Sequence, residues 1–355
     1  MVEVMTPKDW SYNPSFKEAL SYDDLLLVPQ YSDILSRKDV SLAQDLDESI
    51  KLELPVFSSP MDTITEDKMA SAMHEAGGMG IIHRYNTINE QVALVRKVFR
   101  DNPDARVGAA IGVTGDYFER AMALCETGVT LLCLDVAHGH HKLVKKALLE
   151  LKNTFAESVH VMAGNVATRE GYEALSDWGA DSVRVGVGGG SICSTRLVTG
   201  HGIPTLQSVI NCSKSTYSTS IVADGGIKNT GDMVKALALG ADFIMVGSLL
   251  AGTEETPGNV HQTQAGKSYK VYRGMASRGA QKDFKGRSST PEGISTTVPY
   301  RGPVDQSLHD FRGGIASGLS YTGASSLKEF RAKAKFVRQS NAGMKESSTH
   351  ILGRY

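Results

Sequence analysis

The chain's 355 residues are 41% hydrophobic and 22% charged, the make-up of a folded globular protein rather than a disordered or fibrous one. With 38 Lys and Arg against 39 Asp and Glu, the net charge of -1 excludes a basic footprint for nucleic acid or an anionic membrane, so any polyanionic ligand must be held locally. No apolar run approaches the roughly 18 residues of a spanning helix, residues 1–16 show no signal-peptide core, and the four cysteines lack the C-x-x-C spacing of a zinc site or redox pair; a cytoplasmic protein is expected.

In chain order, eight short β-branched or apolar runs each end in small or polar residues. They are PVFSSP (55–60), GGMGIIH (77–83), RVGAAIGV (106–113), TLLCLDVAHG (130–139), HVMAGNV (160–166), DSVRVGVG (181–188), TSIVADGG (219–226) and ADFIMVGS (241–248). Most are spaced by the length of a strand plus its crossover helix. Between them EDKMASAMHEAG, INEQVALVRKVFRD, YFERAMALCETG, LVKKALLELKNTF, REGYEALSDWG and TGDMVKALALG repeat apolar residues every three to four positions, and several stop at glycine. Eight such units predict a closed (β/α)8 TIM barrel over about residues 50–265 rather than an open doubly wound sheet.

Two connections are long. The gap between the sixth and seventh runs opens with GVGGGSICSTR (186–196), and a Gly-, Ser- and Lys-rich excursion over about 265–302 follows the eighth strand. Connections of that length are active-site flaps or disordered. Residues 303–355 begin amphipathically, with SLHDFRGGIASGLSY and SSLKEFRAKAKFVRQ, and predict packed helices before a polar tail. The helix after the second strand leads within a few residues to the third, so one domain over 1–355 with no insertion is expected.

Such barrels place their chemistry at the carboxyl ends of the strands. That rule brings together Ser58, Ser59 and Asp62, then His83, Asp135 and His138, Asn165, the loop 186–195, Asp224-Gly225-Gly226 and Gly247-Ser248. The last two loops belong to strands seven and eight, where phosphates are often held. Gly225, Gly226 and Gly247 there either expose backbone N–H groups to an anion, with Ser191 and Ser248 adding hydroxyls, or simply make tight turns. Asp224 suits a ribose diol, a helix N-cap or a structural ion pair.

Cys193 differs from Cys125 and Cys133, which fall inside a helix and a strand and read as structural. In its glycine-flanked loop it is either another buried thiol or a nucleophile stabilised by backbone N–H groups. GVGGGS is not a dinucleotide fingerprint, because Ser191 stands where the third glycine belongs and no helix starts at once. Its carbonyls could instead face a monovalent cation. In the excursion, the Met275-Ala276 backbone suits a flat heterocycle, while Glu292 is either a proton-transfer group or a solvated glutamate in a hairpin.

In this order, SSPMDTITE, GGMGIIH, MAGNVAT, VRVGVGGGSICSTR, VADGGI, MVGSLLAGTEETPG and YRGMAS resemble the IMP dehydrogenase/GMP reductase family. The likeness runs from about SYDDLLLVPQ (21–30) to AKFVRQSNAGMKES (334–347). It implies a homotetrameric (β/α)8 barrel acting at C2 of a purine nucleotide, GMP or IMP, with NADPH or NAD. Cys193 would be the nucleophile that bonds to the purine, with Ser59, Ser191, Gly226, Gly247, Ser248 and Tyr272 around the phosphate and Asp224 at the ribose. Met61, Arg184 and Gly274 would lie on the substrate side, and Met275, Ala276 and Glu292 at the base. Asp135, Ala137 and Asn165 would meet the nicotinamide, and the carbonyls of Gly186, Gly188 and Cys193 would match a potassium loop.

Within the family, dehydrogenases usually carry inserted CBS modules and a flap Arg-Tyr pair that activates water. This chain has no room for the modules and no tyrosine between Tyr272 and Tyr300. Asp135-Val136-Ala137 looks like the reductase pattern, whereas SSPMDTITE, AGNVAT, AGTEETPG and FVRQSNAGMKES look like the dehydrogenase one. Gly189, Ser194 and Ala276 depart from both. The expected reaction is NADPH-dependent reductive deamination of GMP to IMP, with Thr195 and Glu292 acting on the leaving amine. The alternative is oxidation of IMP with NAD, with Arg278 or Arg287 activating water. A non-catalytic nucleotide-binding barrel is the third reading, and Cys193 argues against it because binding needs no thiol there.

Overall fold

The computed structural model describes residues 18–286 and 290–347. Its centre is a closed barrel of eight strands: β1 (Val56–Ser58), β2 (Met79–Ile82), β3 (Val107–Ile111), β4 (Leu131–Asp135), β5 (His160–Val166), β6 (Ser182–Val185), β7 (Ser220–Asp224) and β8 (Phe243–Val246). Each strand runs parallel to the next and β8 pairs with β1, so the barrel has no free edge. These are the eight runs read from the sequence. Around them lie α1 (Asp67–Glu75), α2 (Ile88–Asp101), α3 (Tyr117–Cys125), α4 (Lys142–Phe155), α5 (Arg169–Asp177), α6 (Thr195–Thr199), α7 (Thr205–Cys212) and α8 (Thr230–Ala238).

Alternation along each strand decides which side chains fill the barrel and which meet the helices. Phe57, Met79, Ile81, Ala110, Leu131, Cys133, Met162, Val222, Phe243 and Met245 form the interior cluster. Their neighbours Val56, Ala109, Leu132, Val161, Val183, Ile221 and Ile244 pack outward against the helical layer. The helices are built to match. In α2 the Thr87 hydroxyl accepts from the Glu90 N–H and the Glu90 carboxylate accepts from Thr87, while Val92, Val95 and Val98 turn inward. Each buried valine of this kind contributes about 1.5–3 kcal/mol.

A small hairpin of Gln44–Asp45 and Lys51–Leu52 closes the amino end of the barrel, sending Leu46, Ile50 and Leu52 into the interior cluster. Beside it His160 Nδ1 lies 2.7 Å from Asp47 Oδ2, and its Nε2 lies 2.8 Å from Ser182 Oγ.

Two regions differ from the sequence expectation. The gap after β6 holds α6 and α7, and α7 is buried almost throughout although it carries Thr205, Gln207, Ser208 and Asn211. Polar residues on the buried face erase the apolar periodicity by which a helix is recognised. The excursion after β8 is the expected flap, and its described residues carry secondary structure that the composition did not announce. Strands β9 (His261–Gln262), β10 (Ser268–Arg273) and β11 (Ser295–Pro299) form an antiparallel sheet, with α9 (Arg278–Lys285) between the last two. Lys270 anchors this sheet, its buried ammonium donating to the carbonyls of Thr253, Glu254 and Thr256.

Helices α10 (Asp305–Ser320), α11 (Leu327–Lys333) and α12 (Asn341–Glu346) follow. Strand Phe336–Arg338 pairs antiparallel with Leu25–Leu27, clasping the two ends of the described chain together. Only residues 102–106 join α2 to β3, with no inserted unit among the described residues. No helix of the described residues is long and apolar enough to cross a membrane. Residues 1–16, Arg287 and the tail beyond 347 lie outside the described residues.

Candidate active site

Strand β6 delivers its exit loop, 186–194, across the carboxyl end of the barrel. Glycine is required at its start, since a Cβ on Gly186 would come 1.8 Å from the Asp224 carbonyl oxygen. The flap fixes the far side of the loop through backbone bonds: Ser194 donates to Glu292 O (2.9 Å) and Ile294 to Ile192 O (3.0 Å). These bonds carry Glu292 to the thiol. Cys193 Sγ donates to Thr195 Oγ1 (3.2 Å), and Thr195 Oγ1 donates to Glu292 Oε2 (2.9 Å). A continuous hydrogen-bonded path thus joins a thiol to a carboxylate, its Thr195–Glu292 link spanning 97 residues of sequence.

The other cysteines have no such setting. Burial pushes the thiol of Cys125 up to about 11 and that of Cys212 up to about 12, which keeps both protonated and inert. Cys133 lies wholly inside the barrel.

Below the loop is a buried ionic centre. Arg184, 5% exposed, donates from Nη1 to Asp135 Oδ1 (2.7 Å) and from Nη2 to Asp224 Oδ2 (2.9 Å). Burial disfavours its charge, but Cys133, Asp224 and Asp135 outweigh that and hold the guanidinium well above its ordinary pKa. Asn165 Nδ2 donates to the Gly186 carbonyl and to Asp224 Oδ2, both at 2.8 Å. Asp224 is therefore an ion-pair partner, and only its Oδ1 is left without a partner among the described residues. Asn165 Oδ1 is buried and also unpartnered, an acceptor that a carboxamide N–H would satisfy.

At the opposite end, polar groups gather around Gly247. A Cβ there would meet Met61 Sδ at 3.1 Å, Ser59 Oγ at 3.3 Å and Tyr272 Oη at 3.5 Å. Tyr272 Oη lies 3.4 Å from Ser191 Oγ. The N–H groups of Gly226, Gly247 and Ser248 find no acceptor among the described residues. Several free N–H groups with three hydroxyls beside them form an anion cradle. Burial raises the Tyr272 pKa, keeping it a donor.

Every residue assigned from the family resemblance lines one cavity of about 460 Å³: the Cys193, Thr195 and Glu292 path, the cradle, the ionic centre, and Gly274, Met275, Ala276, Ala137, Gly186 and Gly188. Other strand-end residues do not. Ser58 is buried beneath Thr65, and His83 is buried with Nε2 3.1 Å from Glu66. Asp62 pairs with Arg273, and His138 is exposed outside the cavity. A strand-end position gives the right face of the barrel but not the direction of the side chain. Arg278, suggested as a water activator, is exposed and also lies outside this cavity.

Sequence reasoning missed Arg84 and Tyr85, which line the cavity from the β2 exit. Arg84 Nη2 donates to the Asp135 carbonyl (3.0 Å). The available signal was their position directly after His83, at the carboxyl end of β2. Gly186 O already accepts from Asn165, so of the expected potassium carbonyls only those of Gly188 and Cys193 have no partner among the described residues.

Over residues 19–350 the chain matches the family model described as IMP dehydrogenase / GMP reductase domain. It is 34% identical to the inosine-5'-monophosphate dehydrogenase of Nitrosopumilus maritimus over 471 aligned positions, covering 94% of this chain and 98% of that relative. Those positions outnumber the chain's 355 residues, so the relative carries sequence that this chain lacks. The GMP reductase of Leishmania major is 33% identical, with 96% and 98% covered. A solved variant of GMP reductase from Trypanosoma brucei, in complex with guanosine 5'-monophosphate, superposes with a TM-score of 0.89 at 31% identity, over 95% of this chain and 98% of that one. The chain belongs to the IMP dehydrogenase/GMP reductase family, oxidoreductases that act on purine nucleotides with a nicotinamide cofactor.

Proposed function

We propose that the chain catalyses the NADPH-dependent reductive deamination of GMP to IMP and ammonia. The observation that carries this reading is the path from Cys193 through Thr195 to Glu292, in a cavity whose flap offers no tyrosine between Tyr272 and Tyr300 to activate water. Sγ bonds to C2 of the guanine while its proton passes through Thr195 to Glu292. Glu292 returns that proton to the 2-amino nitrogen, ammonia leaves, and C2 remains bonded to Sγ. When bound, the nicotinamide cofactor supplies a hydride to C2. The thiolate then departs, and IMP is free.

The rest of the cavity orients. The cradle around Gly247 holds the phosphate and Asp224 Oδ1 takes a ribose hydroxyl. Asn165 Oδ1 receives the carboxamide of the nicotinamide, with Asp135 and Ala137 beside it. The bound state of GMP in the Trypanosoma brucei enzyme supports the substrate class.

The second reading, oxidation of IMP, has the name of the Nitrosopumilus maritimus relative in its favour. One assay separates them. Purified protein with GMP and NADPH loses the reduced-nicotinamide absorbance and releases ammonia; a signal only with IMP and NAD overturns the reductase reading.

A further inference from the structure

Among the described residues, Tyr85 alone lines both the substrate cavity and a second cavity of about 720 Å³. The outer cavity lies between the flap helix α9 and the loops after β1 to β3. Asp62, Asn86, Glu90, Asp116 and Asp283 line it, and Thr87 and Asn89 at its rim are exposed, so it is a wet space. The inner cavity holds the thiol and the groups assigned to the base.

Tyr85 is held between the two. Its ring stacks on Phe284 of α9, with centroids 4.6 Å apart and planes inclined by 27°. The Arg84 guanidinium sits 5.4 Å from the same ring centroid, and Arg84 is itself tied to Asp135. The faces of α9 divide in the same sense. Ala280 and Phe284, one helical turn apart, line the outer cavity, whereas Gln281 lines the inner one and donates to Ala276 O (2.9 Å). The Tyr85 ring and α9 thus form one partition. The mechanism above uses neither Tyr85 nor Phe284.

The partition matters because the Cys193–purine species is electrophilic at C2. If water reached it, the water oxygen would bond to C2, the C2–S bond would break, and the sulfur would leave as thiolate. The product would be xanthosine monophosphate, with no oxidation or reduction in that step. Reduction and hydrolysis compete for one carbon, and excluding water decides between them.

We propose that, once nucleotide and nicotinamide fill the open mouth of the inner cavity, Tyr85, seated by Phe284, keeps the water of the outer cavity from C2 and so commits the covalent species to reduction; this rests on the reductase reading above. Tyr85 is then a specificity-determining residue that touches neither the thiol nor the proton path.

The test compares wild type with Tyr85→Ala, Phe284→Ala and Tyr85→Phe, each given GMP and NADPH in ¹⁸O-water. Ammonia released, NADPH consumed and nucleotide products are measured together. Wild type and Tyr85→Phe, which keeps the ring, release one ammonia per NADPH. Tyr85→Ala and Phe284→Ala raise that ratio to about two or more and form xanthosine monophosphate carrying ¹⁸O at C2. If both alanine variants keep the one-to-one ratio and make no xanthosine monophosphate while wild type turns over, the partition is overturned and the reductase reading stands. If wild type itself forms the labelled product, both fall together. A variant that merely loosened the fold would lower both products and leave the ratio at one.

Discussion

The two ends of the barrel each carry a hydrogen-bonded path from a side-chain O–H or S–H to a carboxylate, and only one of the two lines a cavity. At the carboxyl end Cys193, Thr195 and Glu292 line an open cavity, beside N–H groups and an acceptor that lack partners among the described residues. At the amino end Ser182, His160 and Asp47 have the residue types and spacing of a hydrolytic triad. Yet Ser182 is fully buried, and His160 is only 4% exposed. Neither lines a cavity described here. A relay is catalytic when something can reach its nucleophile; without access the same geometry holds structure together.

The comparison predicts opposite responses to substitution. On the proposed mechanism Cys193→Ala removes the bond-forming atom and lowers kcat by at least about ten-thousandfold, with Tm within a degree or two of wild type. Turnover above that floor, measured by ammonia release, would break the assignment of the carboxyl end. Glu292→Gln keeps a hydrogen bond to Thr195 but cannot store a proton, so kcat falls by about 10²–10⁴ with little change in nucleotide KM. An effect on KM alone would recast Glu292 as a base-binding group.

At the amino end the order reverses. His160→Ala leaves Asp47 and Ser182 without their shared partner and costs about 1–3 kcal/mol of stability, read by denaturant unfolding, while kcat at a temperature of full folding stays put. A loss of kcat in folded protein would show that the buried triad serves the reaction after all.

The smallest effect concerns pH. Burial works to raise the Asp47 pKa, but hydrogen bonds from His160 and Ser49 overcome it and hold the carboxyl far below its usual value. A carboxylate with a lowered folded pKa contributes stability above its unfolded pKa of about 4, and that contribution fades as pH falls below it. Asp47→Asn is therefore less stable than wild type near neutrality, and the difference narrows below about pH 4. A pH-independent difference in unfolding free energy would assign the hairpin's hold to packing by Leu46, Ile50 and Leu52 instead.

The contrast also explains what could be read from the sequence. The barrel was legible because its strands are apolar, punctuated by small residues and regularly spaced. The cavity residues were legible through motifs, since Cys193, Asp224, Gly247 and Tyr272 sit in short stretches with recognisable spacing. Helix α7 was not, because its buried face is polar. The amino-end relay joins Asp47, His160 and Ser182 from three separate elements, with no local pattern to announce them. Tyr85 and Phe284 meet only because the flap folds back over the β2 exit, a tertiary event that no short window of sequence encodes. His83 shows the same limit: chain position places it at the end of β2, while its contact with Glu66 is set by the fold.

The clasp between Leu25–Leu27 and Phe336–Arg338 has a consequence for assembly. Just ahead of Leu25–Leu27, Tyr22 is buried with its ring 3.5 Å from where a Cβ on Gly226 would stand, directly under the anion cradle. A chain arrested before residue 336 would contain every barrel strand, the thiol loop and the flap, yet leave the segment that supports the cradle without its pairing partner. The support beneath Gly226 thus depends on residues from both ends of the described chain, and the last strand to be made is the one that secures it.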